Sequence, residues 1–164
     1  MYITTDAIQK GRFLDRFGSR GEDFIGDMPC RSFGFAVHDV PEGTKSFALL
    51  FEDKDAIPVC GFSWIHWVAA NMQQGSLPEN ASQERDDFLQ GANSWAGPLG
   101  SLDRRQASFY GGMAPPDGDH RYQLHVFALD CLLPLQNGFT YNEMYFAMEG
   151  HLLAQTAITG LYGA

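Results

Sequence analysis

Three short apolar runs, each carrying aromatics and each fenced by turn residues, constrain this chain more than any other feature. Ser46-Phe47-Ala48-Leu49-Leu50-Phe51-Glu52 follows Pro41-Glu42-Gly43 and ends in a charged turn. Phe62-Ser63-Trp64-Ile65-His66-Trp67-Val68-Ala69-Ala70 and Tyr122-Gln123-Leu124-His125-Val126-Phe127-Ala128-Leu129 have the same character. Such runs are short for buried helices and rich in residues that fit a pleated surface, so they predict strands. In the last of them Tyr122, Leu124 and Val126 share one face. The 18 glycines and 13 phenylalanines of the chain agree with sheets packed through aromatics and joined by many turns.

A final strand is expected over Thr156-Ala157-Ile158-Thr159-Gly160-Leu161-Tyr162. One helix stands out. Thr140-Tyr141-Asn142-Glu143 has capping-box spacing, and Tyr141, Met144, Met148 and Leu152 follow at helical intervals, with Gly150 inside the helix or at its end. Between Gln73 and Gly112 the frequent glycines, prolines and asparagines read as long surface connections, one of which is expected to border a site. The whole chain of 164 residues is the size of one domain, all-β or α+β.

Charge and leader signals narrow the partners. With 11 basic and 20 acidic residues, the net charge of −9 disfavours nucleic acid and anionic lipid surfaces. No apolar run approaches the roughly 18 to 20 residues of a spanning helix, so no stable membrane insertion is expected. Met1-Tyr2-Ile3-Thr4-Thr5-Asp6 lacks the basic start and apolar segment of an export signal, which makes the cytoplasm the expected location. Cys30, Cys60 and Cys131 are odd in number and form no C-x-x-C pair, so they are expected to be reduced and buried, with neither a disulfide framework nor a thiolate metal site.

Three elements could carry chemistry: Asp53 and Asp55 after the first strand, His66 within an apolar strand, and Tyr110-Gly111-Gly112-Met113-Ala114-Pro115-Pro116-Asp117-Gly118-Asp119-His120-Arg121-Tyr122. Singly, each has an ordinary structural explanation as a solvated corner, a satisfied core histidine or a turn. Together they suit anion capture. The imidazoles of His66 and His120 can donate hydrogen bonds and carry charge near neutral pH, Gly112 permits close backbone approach, and Asp53 can orient an imidazole or raise its pKa. Tyr122 adds a phenolic donor.

The order and spacing of Asp53-Lys54-Asp55-Ala56, Trp64-Ile65-His66-Trp67 and Tyr110-Gly111-Gly112 through Pro115-Pro116 to His120-Arg121-Tyr122 resemble the two signature regions of the phosphatidylethanolamine-binding (Raf-kinase-inhibitor-like) family. Val40-Pro41-Glu42-Gly43-Thr44-Lys45-Ser46 and Ala147-Met148-Glu149-Gly150-His151-Leu152-Leu153-Ala154 resemble its bacterial branch, so the likeness covers nearly the whole chain. It implies a mainly β, two-sheet antiparallel sandwich with a peripheral C-terminal helix. It also implies a pocket for phosphate or a phosphorylated small molecule such as phosphoethanolamine, without a cofactor or a metal. Asp53, His66, Gly112, Met113, Pro115, His120 and Tyr122 would line the pocket, with Trp64 supporting it and Asp55 buttressing a turn against Arg121. A homodimer and control of a partner kinase or protease are further expectations from the resemblance, and catalysis is not expected.

Two positions depart from the family pattern. Lys54 stands where the motif has proline and Pro58 is displaced by one residue, which predicts a looser turn. Met113 also replaces a proline, which predicts an altered pocket wall. The rival reading is a metal-dependent enzyme in which the two histidines and one carboxylate form a facial triad. A serine hydrolase is disfavoured because Gly61-Phe62-Ser63-Trp64-Ile65 lacks the closing glycine of a nucleophile elbow.

Overall fold

The computed structural model describes residues 1–164. In chain order the strands are β1 (Tyr2–Thr4), β2 (Ile8–Gln9), β3 (Arg12–Phe13), β4 (Phe24–Ile25), β5 (Met28–Pro29), β6 (Ala36–His38), β7 (Ser46–Asp53), β8 (Trp64–Met72), β9 (Leu89–Gln90), β10 (His120–Leu129) and β11 (Leu152–Tyr162). Three short helices accompany them: α1 (Ile57–Cys60), α2 (Ala81–Glu84) and α3 (Tyr141–Ala147). The protein is mainly β, as the apolar runs predict. A seven-stranded sheet, ordered β2-β3-β11-β10-β7-β8-β9, is built on four long strands.

The layers of the sandwich are unequal. Outside the large sheet there are only two two-stranded pairs, β1–β6 and β4–β5, with the loops around them, and the large sheet includes one parallel contact, between Leu161 and Arg12. Strand β7 is buried along its whole length, so its alternation separates two cores rather than a core from water. Phe47, Leu49 and Phe51 enter the main core with Phe33, Trp67, Tyr110, Tyr122 and Leu124. Ala48 and Leu50 enter a smaller core with Val68, Phe139, Met144 and Met148, which α3 covers.

Glu143 Oε2 accepts from both the backbone N–H and the hydroxyl of Thr140 at 2.7 and 2.8 Å, closing the anticipated capping box. The helix is shorter than its apolar spacing suggests. Gly150 takes φ +80°, a conformation that favours glycine and ends the helical run, so Leu152 begins β11 instead of extending α3. The stretch from Gln73 to Gly112 also departs from a surface reading. It buries Ala81, Ser82, Trp95, Ala107 and Tyr110, and its polar groups are satisfied internally, as where Ser82 Oγ donates to Gln90 Oε1 at 2.7 Å. All three cysteines are free, but only Cys30 is buried; Cys60 and Cys131 are partly exposed. No helix is long and apolar enough to cross a membrane.

Candidate functional site

The site forms where β7, β8 and β10 end on the main-core face. Antiparallel pairing sets Tyr122 opposite Asp53 and Trp64 opposite Asp53 from the other side, while His120 lies two residues from Tyr122 on the same face. His66 arrives by a different device. Phe51 pairs with Trp67 and Glu52 with Ile65, which leaves His66 as the extra residue of a β-bulge. Unbulged pairing would send it to the opposite face; the extra residue turns its ring onto Phe51, Tyr122 and Trp95, with centroids 5.6, 5.1 and 5.4 Å away.

These side chains line a cavity of about 310 Å³, closed by Ala56, Val59 and Cys60 on one side and by Trp95, Leu99 and Pro115 on the other. The anticipated Asp53, His66, Pro115, His120 and Tyr122 are all in its wall. Trp64, expected only as a support, lines it as well. Gly112 and Met113 do not. Met113 is fully buried in the main core and accepts a hydrogen bond from Ser19 N at 2.7 Å, so its departure from the family pattern leaves the pocket wall unchanged. A Cβ on Gly112 would lie 2.4 Å from Phe17 O, so this glycine accommodates the neighbouring backbone and not a ligand.

The turn after β7 is tightly held despite Lys54. Asp53 Oδ1 accepts from Ala56 N at 3.2 Å, and Ile57 N donates to Lys54 O at 3.1 Å. Asp55 accepts from the backbone and guanidinium of Arg121 at 2.9 to 3.0 Å, the buttress expected of it. Those bonds hold its carboxyl down at about 2. Lys54 reaches away to Glu52 Oε1 at 2.6 Å, and Pro58 sits in the first turn of α1, where its missing N–H costs nothing.

The two histidines are shifted in opposite directions. Burial pulls His66 down to about 4 and outweighs the neighbouring carbonyl of Gly111, which lies 2.8 Å from Nδ1. A neutral ring there donates through Nδ1 and keeps Nε2 as an acceptor. That corrects the expectation of a second charged donor. For His120, burial opposes the charged ring, but the carboxylates of Asp53 and Asp117 prevail and raise its pKa. Asp53 Oδ2 accepts from Nδ1 at 2.7 Å and Asp117 Oδ1 from Nε2 at 2.8 Å.

Asp117 was legible only as part of a turn, yet its position three residues before His120 brings it onto the ring. Its side chain is 63% exposed, next to Gly118, so little holds it there. Asp27, Trp95 and Leu99, far apart in the sequence from the motifs, are among the further wall residues that no local motif reveals.

Two donors in the wall lack a well-formed hydrogen bond, although the Tyr122 hydroxyl lies close to the Asp53 carboxylate. Trp64 Nε1 and Tyr122 Oη are the buried side-chain polar atoms left without a hydrogen bond. Burial, and then the nearby charge of Asp53, push the phenol of Tyr122 far up, so it stays a donor at any physiological pH. An unmet buried donor costs about 1 to 3 kcal/mol, so an acceptor brought to either atom, from an ordered water or a ligand, would be stabilising. A facial triad of Asp53, His66 and His120 fits poorly: both nitrogens of His120 and Nδ1 of His66 are engaged, and the three do not converge on one point.

Residues 4–163 match the family model described as phosphatidylethanolamine-binding protein. A Bacillus subtilis (strain 168) protein, YxkA, is 54% identical over 134 residues, covering 79% of this chain and 80% of its own length. A UPF0098 protein of Chlamydia muridarum is 34% identical over 167 residues, 99% of this chain and 98% of the relative. Among solved structures, a Chlamydia trachomatis protein named as a homolog of the phosphatidylethanolamine-binding proteins superposes with a TM-score of 0.78 at 31% identity, covering 98% of this chain and 95% of that one. Escherichia coli YbcL, described as a new member of the mammalian family, gives 0.78 at 25% identity over 99% and 98%.

Proposed function

The chain belongs to the phosphatidylethanolamine-binding protein family, and we propose that its pocket binds a phosphoryl headgroup bearing a nearby amino cation, phosphoethanolamine being the simplest example. One observation carries this reading: two buried donors for which the structure shows no hydrogen bond, Trp64 Nε1 and Tyr122 Oη, belong to the same cavity wall as His120, whose two ring nitrogens face the carboxylates of Asp53 and Asp117. Phosphoryl oxygens accept from such donors, and a charge-assisted bond to His120 Nε2 would replace the one it now gives to Asp117.

The remaining charges select for the cation. No lysine or arginine lines the cavity, whereas Asp27 and Asp53 do, and Asp117 stands at the rim. A bare dianion meets net negative charge there; a zwitterion places its ammonium against the displaced Asp117 or Asp27. Trp64 offers an aromatic wall to the same group.

Binding without catalysis is part of the proposal. Neither histidine is hydrogen-bonded to a serine or cysteine: Cys60 Sγ donates to Phe62 O at 3.3 Å, and the Ser101 hydroxyl donates to Asp27. Control of a partner protein would work through the mouth of the same pocket, and a pull-down with and without phosphoethanolamine would detect it.

The test is calorimetric titration with phosphoethanolamine, inorganic phosphate and ethanolamine. Phosphoethanolamine should bind tightest, and Asp117→Ala should strengthen inorganic phosphate about threefold or more by removing the internal competitor for His120. Equal affinity for phosphoethanolamine and ethanolamine, with phosphate unaffected by Asp117→Ala, would contradict the reading.

A further inference from the structure

A second cluster lies at the other end of β10, away from the pocket. Asp130, Cys131 and His151 offer a carboxylate, a thiol and an imidazole whose donor atoms all lie within 4.8 Å of one another. It is the one place in the chain where three such groups converge. We propose that these three residues form a binding site for a borderline divalent transition metal of the zinc class, with the fourth coordination position open to water or an exogenous ligand.

Backbone pairing positions the cluster. Leu129 pairs with Leu152 at the end of the β10–β11 ladder, and Asp130 N donates to His151 O at 3.1 Å immediately beyond it. His151 N is held by Met148 O at 3.0 Å, and the carbonyl of Cys131 accepts the Ser46 hydroxyl, so both strand ends are fixed. Only side-chain torsions remain to be set. A tetrahedral zinc centre separates its nitrogen and sulfur ligands by about 3.5 Å. The donor atoms therefore need to close by about an ångström, which rotation of partly exposed side chains can supply.

Ligand type determines which metals fit. One thiolate, one imidazole and one carboxylate suit zinc, cobalt and copper and do not suit calcium or magnesium, which require oxygen cages. His151 Nδ1 already lies 2.8 Å from Asp130 Oδ1, so two of the three ligands are held together before any metal arrives. That contact has little structural value, since the two side chains are 47% and 46% exposed. Metal entry would release the thiol proton and the proton the imidazole shares with Asp130.

Cobalt(II) is the direct probe, because a cobalt–thiolate bond absorbs in the near ultraviolet. Reduced, chelator-treated protein should develop this band to saturation at about one equivalent, and zinc should abolish it. Cys131→Ser should remove the band, His151→Ala should weaken binding about tenfold or more, and Cys60→Ala should leave it intact. Thermal unfolding supplies an independent readout: zinc should raise the melting temperature of the parent but not of His151→Ala. Absence of the band in the parent, its persistence in Cys131→Ser, or an equal zinc shift in parent and His151→Ala would overturn the site.

Discussion

Adjacent residues of β7 send carboxylates to opposite faces of the same sheet, and each meets a histidine of β10. Glu52 accepts from Ser63 at 2.7 Å, from Lys54 at 2.6 Å and from His125 at 3.1 Å; burial favours its protonated form, yet these partners prevail and hold it down at about 2. Asp53 is just as buried and is bonded to His120, but around it two donors remain unmet and the histidine's second bond goes to an exposed carboxylate. Both faces pair a buried carboxylate with a histidine, but only the Glu52 face adds a lysine. What distinguishes the pocket is unfinished hydrogen bonding, and that is the property expected of a surface shaped to be completed by a ligand.

The largest effect that would sharpen this contrast comes from pH. His66 has its pKa depressed to about 4, below an unfolded value of about 6.5, so its stabilising contribution is complete above 6.5 and is lost as pH falls through 4. The loss across that window should reach about 3 kcal/mol. Urea unfolding of the parent and His66→Gln between pH 7 and 4 measures it, and parallel pH profiles would show that His66 is not the titrating group. Next in size, Glu52→Ala should cost about 2 kcal/mol by stranding His125 and Ser63, while leaving phosphoethanolamine affinity within about twofold. A comparable loss of affinity would erase the distinction between the faces.

A smaller effect is expected at the alkaline end. His120 has a raised pKa, so its contribution is complete below the unfolded value of about 6.5 and is lost as pH rises through the higher folded value. Phosphoethanolamine affinity should fall over the same window. His120→Asn should flatten both profiles, and a parent whose affinity is unchanged from pH 6 to 9 would contradict a charged donor.

Much of this fold was legible because alternation and turn residues are local signals: β7, β8 and β10 lie within two residues of their apolar runs, and the capping box at Thr140 marks the start of α3. The end of α3 was harder to read, since Leu152 keeps helical spacing across Gly150 and only the backbone reveals the break. At the site, Asp53, His66, His120 and Tyr122 were identifiable as chemistry-bearing residues near strand ends. Their states were not. The neutral form of His66 depends on a bulge set by β7–β8 register, and the occupied Nε2 of His120 depends on where a turn places Asp117. Asp27 and Trp95 reach the wall from loops whose path only the folded chain specifies.

A single hydroxyl provides the most direct test. Tyr122→Phe removes a buried hydroxyl for which the structure shows no hydrogen bond, so the variant should melt at, or a few degrees above, the temperature of the parent. If that hydroxyl waits for a phosphoryl oxygen, calorimetric titration should show phosphoethanolamine binding about tenfold or more weaker. Unchanged affinity, or a fall in melting temperature that tracks the loss of binding, would mean that Tyr122 serves the core and that the pocket is not defined by its unpaired donors.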